Sequence, residues 1–487
     1  MLQYPFFNLS GTFIFSLFAL YSIWTKTPTN FLRLALFVVG TFCFIKPSKK
    51  TLASILLFLI TLAVYANFHL RSCKHLDDAK NVHGTFQWDK IFRTKATRIG
   101  GLGTLRFNDG KTIPIYLHGR QKVEQEYSPY MTYYIRGKLL PLKPPFCSSS
   151  NFTYYLWARG IRHHMYSPKI YPRPKLWKPT LLQKCRERFQ KHLEAHFKNL
   201  DCAHTHSAIL LGRKEFLQDP QMQNFFNTGT MHLFAVSGLH VGIVSTFFFF
   251  LGRLFSPQRW VRLLVTFIGV SFYALLVGLS PSTLRATLMV YAILAMQQLN
   301  RPIDIKAAFT LTLFTALMIN PWQIWDVGFQ LSYGVVASLI YIGGPFCTYM
   351  KGKKHLGKWQ SALYVSLSAS LMSTLLTAYY WGILTPWAFV ANLFLIPYTS
   401  IIVILGMISG LLGFIYEPIL AILNPITELT VWLLLKAVSI LSQLPGSVFK
   451  LQCSTNALLL GLGTLLLFSL YLDKKLRLQQ SASKDKP

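Results

Sequence analysis

Between Pro220 and Gly252 the chain runs for 33 residues without one Asp, Glu, Lys or Arg. About 20 apolar residues in helical form cross about 30 Å of hydrocarbon, where backbone N–H and C=O groups must be paired within the protein. Further apolar stretches follow at 263–284, 286–299, 307–325, 327–350, 361–381, 383–416, 420–444 and 456–472, all free of charge except 420–444, which carries Glu428 and Lys436. Together they predict about seven to ten spans, because the longest runs can each hold two. Charged residues make up only 14% of the 487, against roughly a quarter in soluble domains, so too little polar surface remains to solvate the chain in water. The composition predicts a membrane protein and excludes disorder, collagen and a small disulfide-stapled scaffold. Seven scattered cysteines without a C-x-x-C pair define neither a disulfide framework nor a zinc ribbon.

The N-terminal region repeats the pattern. Residues 6–24 are apolar and lack the basic leader and small-residue cleavage site of a signal peptide, so the expectation is a retained span. Residues 31–45, with Arg33 near one end, and 51–70 are two further expected helices. The short Lys46-Pro-Ser-Lys49-Lys50 loop is expected in the cytoplasm, which would put the following segment on the opposite side. By the same rule, the basic stretch 351–358 and the tail from Asp473 are expected to be cytoplasmic.

Residues 71–178 change character. Thr112-Ile-Pro-Ile-Tyr-Leu117 and Tyr130-Met-Thr-Tyr-Tyr-Ile135 are short β-type runs, and Asn108-Asp109-Gly110 reads as a hairpin turn. A compact barrel fits them. The segment holds 20 Lys and Arg against 6 Asp and Glu, a balance of +14, interleaved with aromatic residues. Positive grooves track phosphates and aromatic faces stack on bases, so Trp88, Arg93, Lys95, Arg98, Arg106, Lys111, Arg120 and Lys122 are candidate contacts to single-stranded DNA. The other reading is that many of the aromatics fill the barrel or meet the membrane. Cys73 and Cys147 bracket the segment and are candidates for a disulfide.

From 181 to 200 the period changes. Leu182, Cys185, Phe189, Leu193, His196 and Leu200 form one stripe, with Lys and Arg elsewhere, as in a basic amphipathic helix lying in the membrane interface or packed on the β domain.

The sharpest motif is Gly229-Thr-Met-His-Leu-Phe-Ala-Val-Ser-Gly-Leu-His-Val-Gly242, which sets His232, Ser237, Gly238 and His240 within an apolar run. Polar groups at that depth need a protein interior or a wet cavity, so the motif reads either as a pathway lining or as a tightly packed helix whose histidines are satisfied by neighbours. Ser237 and His240 lack the Gly-x-Ser-x-Gly frame of a hydrolase, and Cys202-Ala-His204-Thr-His206 has no standard metal spacing. No catalytic residue, metal ligand or cofactor is assigned. Arg285 and Asp326 interrupt apolar runs and are either pathway residues or helix ends in the headgroup layer. Asn392 and Pro397 point to a broken or re-entrant helix, or to a simple kink.

Four stretches carry a resemblance. They are Leu210-Leu-Gly212 with the 226–242 motif, Gly278-Leu-Ser-Pro-Ser282-Thr-Leu-Arg285, Asp326-Val-Gly-Phe-Gln330-Leu-Ser332-Tyr, and Ala391-Asn392-Leu-Phe-Leu-Ile-Pro397. In this order the chain resembles the ComEC-type competence channel family, bacterial proteins that pass DNA across the cytoplasmic membrane. Met231 and Tyr333 depart mildly from the family pattern, which usually has Ser and Phe there.

The resemblance implies a polytopic α-helical membrane protein with an inserted small β-barrel (OB-like) soluble domain. Its expected parts are N-terminal helices (1–70), the basic barrel on the non-cytoplasmic side (71–178), an interfacial helical segment (179–228), the channel domain (229–472) and a basic cytoplasmic tail (473–487). It further implies transport of single-stranded DNA through the bilayer past His232, Ser237, Gly238, His240, Arg285, Asp326, Gln330 and Asn392. The implied partners are a cytosolic ATP-driven DNA translocase and a separate DNA receptor protein. Many relatives end in a metallo-β-lactamase-like domain, and degradation of the second strand is expected to come from another protein. No Gly-x-x-x-x-Gly-Lys-Ser/Thr loop is present. The competing readings are an intramembrane enzyme on lipid-linked substrates and a flippase for anionic lipid or polymer.

Overall fold

In the computed structural model the described residues are 80–95, 98–107, 109–120, 131–142, 151–166, 168–176, 181–213, 217–320, 323, 324, 326–351, 357–451 and 453–484. The expected N-terminal spans, Cys73, Cys147, Lys122 and most of the basic loop 351–358 lie outside them. The chain divides into two compact units, one holding Leu181–Thr315 with Gly328–Pro487, the other holding the barrel and Ala316–Val327.

The barrel has six strands: β1 (Lys80–Lys95), β2 (Arg98–Arg106), β3 (Thr112–Arg120), β4 (Met131–Pro141), β5 (His163–Tyr166) and β6 (Lys169–Leu176). The sheet order is β1-β2-β3-β5-β4-β6, and β1 also pairs with β4, so five strands close on themselves and β6 extends the wall beyond β4. This is the OB-like closed barrel that the resemblance implies. Alternation fills it: Phe86, Trp88, Leu105, Ile115, Leu117, Tyr133, Ile135, Leu139 and Met165 point inward and form one core. The β2–β3 hairpin turns at Asp109 and Gly110, where the Asp109 carboxylate accepts from the Lys111 N–H at 3.0 Å and Gly110 takes φ 85°. A short helix, α1 (Asn151–Ala158), precedes β5 and packs Leu156 on Leu102 of β2.

The helical unit comprises α2 (Leu181–Glu194), α3 (Leu200–Leu211), α4 (Asp219–Asn227), α5 (Gly238–Phe255), α6 (Arg259–Val277), α7 (Pro281–Gln298), α8 (Ile305–Ile319), which runs on past Thr315, α9 (Val327–Ser338), α10 (Gly344–Lys351), α11 (Lys358–Trp381), α12 (Ala388–Leu412), α13 (Leu420–Ser442) and α14 (Thr455–Lys484). A single π turn, Leu339–Gly343, joins α9 to α10. Among the described residues, seven helices are long and apolar enough to cross a membrane: Gly238–Phe255, Arg259–Val277, Val327–Met350, Trp359–Trp381, Ala388–Leu412, Glu417–Ser442 and Asn456–Leu476. Their outward faces carry large apolar side chains such as Phe250, Leu254, Ile268, Leu433, Leu460 and Leu467, a surface that water would oppose and lipid covers. This is a multi-pass membrane protein.

Two expectations are corrected here. The helix expected over 181–200 ends at Glu194, His196 takes φ 61°, and a new helix starts at Leu200. Within its stripe, Phe189 and Leu193 are buried in the same core as Ile402, Val403 and Met407 of α12, while Leu182, His196 and Leu200 are exposed. Gly406 and Gly410 of α12, with Gly413 just past its end, form a groove on that side, where added Cβ atoms would come within 2.5 Å of His206, 2.3 Å of Phe189 and 2.7 Å of His192. The end at Glu194 is gripped from α13. The Asn424 side-chain amide donates to the carbonyls of His192 and Ala195, both at 2.7 Å, and the Glu428 carboxylate accepts from the N–H groups of Lys198 and Asn199. The second correction concerns 383–416. Its short strand, Ile383–Leu384, pairs with Phe449–Lys450, and α12 then continues through Pro397 as one helix rather than breaking there.

Candidate translocation seam and nucleic-acid interface

The Gly229–Gly242 motif is not the middle of a span; it is the approach to one. After α4, the hydroxyls of Thr228 and Thr230 hydrogen-bond each other at 2.7 Å and bond back to the Phe225 carbonyl, which fixes a tight turn. Gly229 takes φ 70°, and a Cβ there would come within 2.6 Å of Thr385 and 2.9 Å of Ala388. Only glycine meets both demands. A 3₁₀ turn, Met231–Phe234, then buries Leu233 and Phe234. Ser237 is extended, and α5 begins at Gly238.

Ser237 is the cap of that helix, and His240, three residues on, folds back over it. The His240 Nδ1 lies 3.1 Å from Ser237 Oγ and accepts from the Ser237 N–H at 3.4 Å. His240 is buried, and its Nε2 has no hydrogen-bond partner among the described residues. His232 is exposed, with Nδ1 3.2 Å from the Gly229 carbonyl. Gly238 is exposed, and a Cβ there would meet nothing nearer than Ala286 at 3.9 Å.

The other motifs converge on this turn. Ser282, at the start of α7, donates to the Val236 carbonyl at 2.8 Å, joining the second motif to the first. One turn further, Arg285 is 3% exposed; it donates to the Gly328 carbonyl at 2.9 Å and lies over the rings of Phe329 and Tyr333 at 5.2 and 5.4 Å. The cation is therefore held by a helix-start carbonyl and two π faces of the third motif. Gln330 on α9 accepts from the Tyr380 hydroxyl of α11 at 2.6 Å. Asn392 lies on α12 one turn beyond Ala388, the residue that approaches Gly229, and its Oδ1 has no hydrogen-bond partner among the described residues. Asp326 is buried just before α9, with its N–H on the Gln323 carbonyl at 2.9 Å.

Sequence reasoning quoted Ser282 within a motif but gave it no role, and missed Tyr380; both tie these helices together. Nothing in their spacing marks them. The cap at Ser237 did carry a signal: a serine followed three residues later by a polar residue, just before an apolar run. Among the described residues no group of three or more His, Cys, Asp and Glu side chains is positioned to hold a metal ion.

On the barrel, Trp88 is corrected from a DNA contact to a core residue. It is 1% exposed and packs edge-on against Phe86 at 4.8 Å, out of reach of a base. The candidate cations also do not form one patch. The β1–β2 and β2–β3 registers pair Lys95 with Arg98, and Arg98 with Arg120, at one end of the barrel, while Arg106 and Lys111 flank the opposite hairpin. Arg93 stands near the first group, opposite Ile99. Arg98 and Arg106 are eight residue steps apart along β2, so the two ends are about 26 Å apart.

The outer wall holds a cluster that the sequence reading did not single out. Tyr116 and His118 of β3 face His164 and Tyr166 of β5 in parallel register. The His118 ring stacks on Tyr116 and lies edge to edge with the near-parallel His164 ring, His118 Nε2 being 2.9 Å from His164 Nδ1. Burial holds both imidazoles below their ordinary range, with the charges of His118 and His163 adding to it for His164. The signal was a period of two, Tyr116-Leu-His118 and His164-Met-Tyr166, with the core residues between.

Against known proteins, the chain is 28% identical over 205 residues to ComE operon protein 3 of Bacillus subtilis, covering 42% of this chain and 26% of that protein. It is 32% identical over 202 residues to Competence protein ComA of Neisseria gonorrhoeae, covering 40% and 28%. It is 28% identical over 210 residues to Recombination protein 2 of Haemophilus influenzae, covering 40% and 27%. The matched part thus spans little more than a quarter of these relatives. No solved structure matches the chain significantly. The family model described as Competence protein matches residues 209–476, more than half of the chain and all of the helices that carry the seam, and the chain belongs to this ComEC-type competence protein family.

Proposed function

We propose that this protein is a channel of the bacterial cytoplasmic membrane that passes one strand of DNA inward during natural transformation. The observation that carries the reading is the convergence of the Gly229–Gly242, Ser282–Arg285 and Gly328–Tyr333 stretches on one buried polar seam, inside helices whose outward faces are apolar. Such a seam offers a polyanion hydrogen-bonding groups where lipid offers none, without a ring of fixed lysines that would hold it in place. His232, Ser237, Gly238, His240, Arg285, Asp326, Gln330 and Asn392 would line or gate the path. The family description, Competence protein, and the names of two relatives, a competence protein and a recombination protein, support a role in DNA uptake. A cytosolic ATP-driven translocase would supply the force, and a separate receptor would deliver the DNA.

The test is nuclease-protected uptake of labelled DNA by cells. His240→Ala and Arg285→Ala are expected to abolish protected uptake while DNA still binds at the cell surface; unaltered accumulation would remove both residues from the path. One observation favours a second reading, an intramembrane enzyme: Ser237 Oγ lies 3.1 Å from His240 Nδ1. That reading predicts that the purified protein turns over a lipid-linked substrate without DNA and that Ser237→Ala ends the turnover.

A further inference from the structure

OB-type barrels generally bind single strands on the face of their second and third strands. Here that face is occupied by the chain itself. Leu102 of β2 is 6% exposed beneath Leu156 and Ile161, with Tyr155 and Tyr116 packed around it. Tyr116 also leans over β2, its hydroxyl 3.0 Å from where a Cβ of Gly100 would stand. A strand approaching the usual platform would meet helix α1.

The free wall lies on the other side of β3. His118 and His164 present near-coplanar rings joined edge to edge, and Tyr166, 58% exposed, stands edge-on to His118 at 5.2 Å. β4 pairs Leu139 with Met165, and continuing that register sets Lys138 beside Tyr166. Two residues back along β4 is Arg136, paired with Lys169 of β6, and two further is Tyr134, paired with Tyr171, which is 51% exposed. Arg136 and Lys138 are both exposed. From His164 to Tyr171 the rows cover about 20 Å along β4, long enough for several nucleotides. Among the described side chains of residues 80–176, Asp109 is the one acid, and it sits in the β2–β3 hairpin.

We infer that the wall of β4, β5 and β6 is the face that binds single-stranded nucleic acid, with bases stacking on the His118–His164 pair, Tyr166 and Tyr171, and phosphates following Lys138 and Arg136. The inference rests on the strand-conducting reading above and deepens it. The flat rings favour a nucleic acid over a lipid surface, because the coplanar His118–His164 pair offers a face to planar bases and carries little aliphatic bulk to bury in acyl chains.

The test is fluorescence anisotropy of labelled oligothymidine with the full chain in neutral-lipid nanodiscs. Tyr166→Ala with Tyr171→Ala is expected to raise Kd at least about tenfold, while Tyr166→Phe, which keeps the ring, is expected to leave it unchanged. Arg136→Ala with Lys138→Ala is expected to flatten the dependence of log Kd on log salt by about 1.4, two phosphate contacts to a single strand. Arg106→Ala with Lys111→Ala, at the far hairpin, is expected to change Kd less than about twofold. Equal affinity in the wall variants and the wild type would overturn the face and leave the channel reading standing, since that reading is judged by uptake. If those variants instead alter quenching of a barrel-attached dye by brominated lipid, with oligothymidine binding intact, the wall is a membrane contact and the inference fails. A wild-type chain that binds no oligothymidine at low salt overturns it as well.

Discussion

The barrel and the helical unit place their polar and apolar groups in opposite ways. The barrel buries Phe86, Trp88, Leu105 and Ile135 and turns Arg106, Lys111, Arg136 and Lys138 outward. The helices turn Phe250, Leu254 and Leu460 outward and bury His206, His240, Arg285, Gln330 and Asn424. In the barrel a functional side chain is therefore a surface side chain, and replacing it costs binding while leaving the fold intact. In the helical unit the same kind of residue also holds helices together, so function and stability move together. The difference gives each region its own signature under mutation.

The largest effect expected is in the barrel core. Trp88→Ala removes a fully buried indole and is expected to destabilise the barrel by about 3–5 kcal/mol. Thermal unfolding of the full chain followed by barrel-attached fluorescence checks it. A normally stable variant with weakened DNA binding would break the contrast, because Trp88 would then be a contact residue after all. Next is Arg285→Met, which keeps the bulk, removes the cation and leaves the Gly328 carbonyl without its charged donor. The expected cost is about 1.5–3 kcal/mol, or at least about a tenfold loss of protected uptake, with oligothymidine binding unchanged. Loss of both together would place Arg285 in general folding rather than in the seam.

Ser237→Ala comes third. Loss of the helix cap is expected to cost about 1 kcal/mol in thermal stability, and Ser237→Asn, which can cap, is expected to restore it. Activity that returns with Asn points to the cap; activity that only serine supports points to a nucleophile. The smallest effect is a pH dependence of the barrel. His118, His163 and His164 are held below their ordinary range by burial, with Arg162 also acting on His163. The unfolded chain therefore takes up protons first. Stability is full above about 6.5, the unfolded value, and falls as the pH drops below it towards the lower folded values. His118→Phe is expected to shallow that fall, as measured by unfolding midpoints between neutral and mildly acidic pH.

Much of this was legible in the sequence, for identifiable reasons. Span hydropathy and the Asn-Asp-Gly turn are local signals, so the helices and the barrel follow from them. The four motifs were visible as strings. What was not legible depends on distant partners. The helix ends at Glu194, where Asn424 and Glu428, more than 200 residues on, take up backbone groups on both sides of it, from His192 to Asn199. Trp88 faces inward because of a strand phase that short, two-sided runs leave open. Pro397 stays within a continuous helix although its residue type favours a break. The cations scatter to both ends of the barrel because hairpin register, rather than spacing along the chain, decides which of them meet.

The claim that most needs a direct measurement is that the moving strand passes the Ser237–His240 turn. A photoreactive side chain at Gly238, where a Cβ has nothing nearer than Ala286 at 3.9 Å, can be activated while tethered DNA is stalled partway through uptake. The account predicts a cross-link to the DNA strand from position 238 and none from the outward-facing Leu460. Cross-links from position 238 to lipid acyl chains, with none to DNA, would contradict it.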